Sequence, residues 1–66
     1  MTIGESIRKV REEKGYSRER LARRIGVHQL TILKWELGQS RANIDAVIAI
    51  ANLFRVSLDE LVGRRM

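Results

Sequence analysis

The side chains able to bind or react in a concerted way gather in one stretch, Arg18–Leu37, reading RERLARRIGVHQLTILKWEL. Catalysis is the first chemistry to weigh. The chain has no cysteine, hence no thiolate nucleophile and no thiolate metal site. Its single histidine, His28, lacks a nearby carboxylate partner and cannot build a multi-histidine centre. Ser6, Ser17, Ser40 and Ser57 have no candidate base, no glycine-rich loop is shaped to cradle phosphate, and no acid pair marks a pocket. Enzyme, metal and cofactor readings therefore have nothing to rest on. What remains is binding chemistry by guanidinium, ammonium and carboxamide groups. Ten of the thirteen basic residues are arginine and the formal charge is +5. That bias suits phosphate, whose oxygens the arginine fork bonds in pairs. A basic surface without a partner is the competing reading of charge alone.

The elements that hold this stretch are two short helices around a turn. In the first, about residues 18–25, Leu21, Ala22 and Ile25 share one face. Gly26 stops it in a left-handed C-terminal position that only glycine takes without steric cost. Val27 turns inward as a plug, and the second helix, about residues 29–36, begins near His28. Ile32 and Trp35 form its buried stripe and leave His28, Gln29, Leu30, Leu33, Lys34 and Leu37 free. A small side chain at Ala22 lets the helices cross closely. One helix that braces and a second that offers a free face is the arrangement of a DNA-reading helix-turn-helix.

The flanks supply the rest of a bundle. Thr2-Ile3-Gly4-Glu5 reads as a capping box opening a helix from about Ile3 to Lys14, with Ile3, Ile7 and Val10 inward and Gly15 ending it. Ser17 caps the next helix, with Tyr16 and Leu21 as a hydrophobic staple. Gly38 closes the third helix and Gln39–Ala42 forms a loop. Asn43 caps a fourth, whose inward stripe is read as Ile44, Val47, Ile48, Ala51 and Phe54. Ser57-Leu58-Asp59-Glu60 is a second capping box, stapled by Val56 and Leu61, before a short fifth helix and a frayed tail from Gly63 to Met66. No apolar run approaches the ~20 residues needed to span a bilayer, and no signal-peptide pattern opens the chain.

The segment Leu21-Ala22, Ile25-Gly26-Val27, Ile32, Trp35-Glu36 and Gly38 resembles the helix-turn-helix of the phage repressor and Cro family, the XRE-type bacterial regulators. Arg11–Gly15 upstream and Val56–Leu61 downstream resemble it too, so the likeness runs from about Ile7 to Val62. It implies an all-α, compact five-helix bundle of the lambda repressor-like kind, one domain over residues 1–66. It further implies base contacts from Gln29, Leu30, Leu33 and Lys34. Backbone contacts would come from Arg18, Gln39, Ser40 and Arg41, with His28 capping the helix start or touching phosphate. Arg11 and Glu36 match a pair that forms a partly buried salt bridge in the family. The implied partner is double-stranded DNA, bound by a homodimer in the cytoplasm, with no membrane, small-molecule ligand, cofactor or metal.

Alternatives stay open beside these. Gln29 and Lys34 also fit a solvated helix face. Leu30 and Leu33 also fit a protein–protein contact or partial burial. A protein-interaction module on the same fold is the reading of another class, and the DNA-binding piece of a longer repressor is a further one. The chain departs from the family in lacking proline near Ala42, in carrying Arg55 where glycine is usual after the fourth helix, and in placing Leu37 where a polar residue often bonds the DNA backbone. Arg55 is expected to take a positive φ. Ile50, Leu53, Leu58, Val62 and Met66 are the residues from which a two-fold interface is expected.

Overall fold

Every helix start in the chain is held by a side chain placed for that purpose. In the computed structural model, which describes residues 2–62, these starts open α1 Ile3–Glu13, α2 Arg18–Ile25, α3 Gln29–Glu36, α4 Ile44–Phe54 and α5 Leu58–Val62. There is no strand among the described residues. Thr2 Oγ1 accepts the Glu5 amide at 3.1 Å while the Thr2 amide donates to Glu5 Oε1 at 2.8 Å. The Thr2 amide holds the Glu5 carboxyl below its ordinary range, since it bonds the charged form. Ser17, Asn43 and Ser57 cap α2, α4 and α5 in the same way.

The helix ends are equally local in cause. After α1 and α3 the chain closes in two paired backbone bonds: Gly15 to Glu12 with Tyr16 to Arg11, and Gly38 to Trp35 with Gln39 to Lys34. Gly15 and Gly38 take φ of 73° and 77° there. Lys14 caps α1 rather than ending it as a helical residue. After α4 the left-handed position is held by Arg55, at φ 57°.

The core draws on all five helices: Ile7 and Val10, Leu21 and Ala22, Ile32 and Trp35, Val47, Ile50, Ala51 and Phe54, and Leu61. Tyr16 seals one edge, its ring meeting Phe54 edge-on with centroids 4.9 Å apart. α1 crosses the end of α3 so closely that a Cβ at Gly4 would collide with the Trp35 carbonyl oxygen. Reading Gly4 as the interior of a capping box missed this contact.

One register differs from the sequence reading. α4 buries Val47, Ile50, Ala51 and Phe54, while Ile44 and Ile48 are 62% and 40% exposed. The helix, IDAVIAIANLF, is apolar at nearly every position, so two neighbouring stripes share Val47, Ala51 and Phe54 and differ only in what flanks them. Packing decides between them: α4 lies against both α2 and α5, and of the flanking residues it is Ile50 that is buried. Ile50, fully buried, is thereby removed from any surface interface. Leu53 and Val62 are half-buried and Leu58 is exposed. Met66 and the rest of the tail from Gly63 lie outside the described residues.

Candidate nucleic-acid interface

α3 is anchored by one face and offers the other. Ile32 and Trp35 are buried, which takes Trp35 away from any stacking role on the outer side. At about 100° per residue, Leu30, Leu33, Lys34 and Leu37 lie on the opposite face and Gln29 at its edge, about 90° round from the buried pair. Gln29, Lys34, Leu30 and Leu37 are exposed, the two leucines by 55% and 59%, and Leu33 is half-buried. The outer face is thus a leucine stripe flanked by one carboxamide and one ammonium.

His28 is the N-cap of α3, its Nδ1 accepting the Leu30 amide at 3.1 Å. With Nδ1 an acceptor, the proton of the neutral ring sits on Nε2, which leaves an N–H donor beside the helix start. On the far side of α3, Gln39, Ser40 and Arg41 are all exposed in the loop that Gly38 turns. Donors therefore flank the outer face at both ends.

At the C-terminal end of α3 lies an ion cluster. Arg11 Nε donates to Glu36 Oε2 at 2.8 Å and Arg11 Nη2 to Oε1 at 3.3 Å, the pair that the family resemblance implies. Arg18 joins it, Nε donating to Glu36 Oε1 at 2.8 Å. That third member was not legible, since no spacing rule joins the first residue of one helix to the last of the next. Other arginines are engaged as well: Arg8 pairs with Glu12 at 3.2 Å, the Arg20 guanidinium stacks 4.0 Å from the Tyr16 ring centroid, and Arg24 donates to Tyr16 Oη at 3.3 Å. Among the described residues no group of His, Cys, Asp and Glu could hold a metal ion, and no helix is long and apolar enough to cross a membrane.

Residues 7–61 match the Helix-turn-helix family model. The chain is 32% identical to the HTH-type transcriptional activator BcrR of Enterococcus faecalis over 96% of its own length and 31% of that protein's. It is 32% identical to the SPbeta prophage-derived HTH-type transcriptional regulator YonR of Bacillus subtilis, over 91% of this chain and 56% of that one. It thus spans a third to about half of these relatives. The fold superposes on the P22 c2 repressor, solved in complex with a synthetic operator, with a TM-score of 0.84, 26% identity and 94% of each chain covered. A transcriptional regulator from Listeria innocua gives a TM-score of 0.88 at 26% identity, over 98% of this chain and 61% of that one.

Proposed function

Because the chain belongs to the helix-turn-helix family, we propose that it is a sequence-specific DNA-binding transcriptional regulator acting as a repressor. The observation that carries this is the outer face of α3, exposed and directly opposite the buried Ile32 and Trp35. α3 enters the major groove. Gln29 pairs with adenine, Lys34 reaches guanine acceptors, and Leu30 and Leu33 meet thymine methyl groups. His28, Arg18, Gln39, Ser40 and Arg41 bond phosphates and set the register of the helix on the duplex. Residues 1–66 act as one DNA-binding unit in the cytoplasm, two copies occupying a two-fold-symmetric operator and blocking polymerase. The likeness to a repressor over nearly the whole of both chains supports that direction of control.

Selection from a random duplex pool, followed by a small mutant matrix, tests the reading. The pool should yield a consensus with two related half-sites. Gln29→Ala and Lys34→Ala should each lose ~1–3 kcal/mol on that consensus and relax preference at one base pair. Arg41→Ala should weaken all sequences alike and flatten the log–log salt dependence by roughly 0.9. Equal losses on consensus and scrambled duplexes for the Gln29 and Lys34 variants would remove α3 as the reader. A second reading, a protein-interaction module, is favoured by the exposure of Leu30 and Leu37. Weak, sequence-indifferent binding across the pool would turn the assignment toward it.

A further inference from the structure

Glu36 ends the outer helix, yet its side chain is only 1% exposed and two arginines from two other helices converge on it. Arg11, from α1, is used up by the contact. It takes both carboxylate oxygens, its Nη1 donates to the Tyr16 carbonyl oxygen at 2.8 Å, and its side chain is 8% exposed. Arg18, from the start of α2, is not used up. It gives Nε alone, at 2.8 Å, its side chain is 38% exposed, and neither of its Nη groups has a partner among the described residues.

The charges follow from this geometry. Arg11 has a second carboxylate beside it, Glu12 at 3.8 Å from Nη2, so its charge is met twice, whereas Arg18 has Glu36 alone among the described residues and is the guanidinium that solvent reaches. A surface arginine ordinarily loses rotamer freedom when it settles on a phosphate. An Nε tie to a buried acceptor removes that loss beforehand, and it turns the two-nitrogen edge of the fork outward. The acceptor is also the last residue of α3, so the fork is held in a set relation to the helix that carries Gln29 and Lys34. We infer that Glu36 is a positioning residue for DNA binding: it holds Arg18 with its outer guanidinium edge ready for a backbone phosphate, in register with α3. The inference rests on the DNA-binding reading above.

Two effects of removing the carboxylate oppose each other, which makes the inference testable by sign. Glu36→Gln takes the formal charge from +5 to +6, and long-range electrostatics alone would then tighten binding to a polyanion. Loss of positioning weakens it.

The test is anisotropy titration of a labelled mixed-sequence duplex at several KCl concentrations. Arg18→Ala should weaken binding about threefold to tenfold and flatten the log–log salt slope by roughly 0.9. Glu36→Gln should weaken it comparably despite the added charge, and flatten the salt slope likewise, because the phosphate contact of Arg18 is lost. Arg18→Ala made on top of Glu36→Gln should then cost less than about a further twofold, because the two changes remove one interaction. A general structural role for Glu36 would give neither the altered slope nor the non-additivity.

Far-UV circular dichroism at the assay temperature checks whether each variant keeps its helix. Arg11→Met with Glu36→Gln removes the stranded buried cation as well, and should show the same binding loss if Glu36→Gln alone unfolds. Equal or tighter binding by a folded Glu36 variant overturns the inference, as do losses that multiply, while salt-dependent binding by the wild type leaves the DNA reading standing. A wild type with no affinity for duplex overturns both.

Discussion

Gly4 and Arg55 carry backbone constraints of opposite sign. At Gly4 the obstacle is the backbone of α3, which cannot give way as a flexible side chain would. Gly4→Ala should therefore force α1 off α3 and cost about 1–3 kcal/mol, as overpacking does. In a domain of this size each 1 kcal/mol moves the thermal midpoint by about 4–8 °C. A midpoint equal to the parent's would show that the two helices do not touch there. At Arg55 the left-handed backbone costs a side-chain-bearing residue about 1–2 kcal/mol. Glycine avoids that cost but gives back about 0.5–1 kcal/mol in chain entropy. Arg55→Gly should thus stabilise by up to about 1.5 kcal/mol, read in the same melt. A lowered midpoint would mean that Arg55 makes compensating contacts. The two sites also differ in how they could be read. Arg55 was legible because a helix end and its turn involve only neighbouring residues. Gly4 was not, because what excludes a side chain there is supplied from the far end of α3.

Among the elements, α1, α2 and α5 could be read from their caps and from apolar residues at helical spacing, because their outer faces are polar enough to leave one stripe. α4 could not, because its stripe is doubled, and the choice is made by α2 and α5 on either side. Truncation separates the two registers. Ile50→Ala opens a cavity in the core and should cost about 2–5 kcal/mol. Ile44→Ala, at a largely exposed position, should stay within about 0.5 kcal/mol of the parent. Total stability for a chain of this length is only of the order of 5 kcal/mol, so the first variant should lose a large share of it and the second almost none. The reverse order in urea midpoints would restore the register read from periodicity. The outer face of α3 was legible for a related reason: its two buried residues are few and unambiguous, so what lies opposite them follows. The Arg18 tie to Glu36 joins two helices and needed their packing.

At the scale of the whole molecule, charge and apolar surface bear on assembly in opposite directions. With Ile50 buried, the large apolar side chains exposed on α4 and α5 are Ile44 and Ile48, one turn apart on α4, and Leu58 on α5, and these are the ones available to the proposed interface. Burying these in the proposed homodimer removes apolar area from water, about 25 cal/mol for each Å². Each protomer, however, brings a formal charge of +5 to the contact, and like charges oppose association until counter-ions screen them. Duplex DNA supplies that neutralisation itself, so pairing should be weak in free solution and strong on two half-sites set one helical turn, ~10 bp, apart. The salt dependences then separate. Raising KCl should promote the free dimer in sedimentation equilibrium while it weakens binding to DNA, where counter-ion release dominates. Ile48→Glu adds a charge at the contact without entering the core. It should keep the parent's helix content and its affinity for a duplex with one half-site, while losing about tenfold or more on a duplex with two, the equivalent of roughly 1.4 kcal/mol of pairing energy. A single protein per two-half-site duplex, together with a monomer at the highest attainable concentration and salt, would sink the dimer. Dimers untouched by Ile48→Glu would leave the dimer and sink this flank of α4 as its seam.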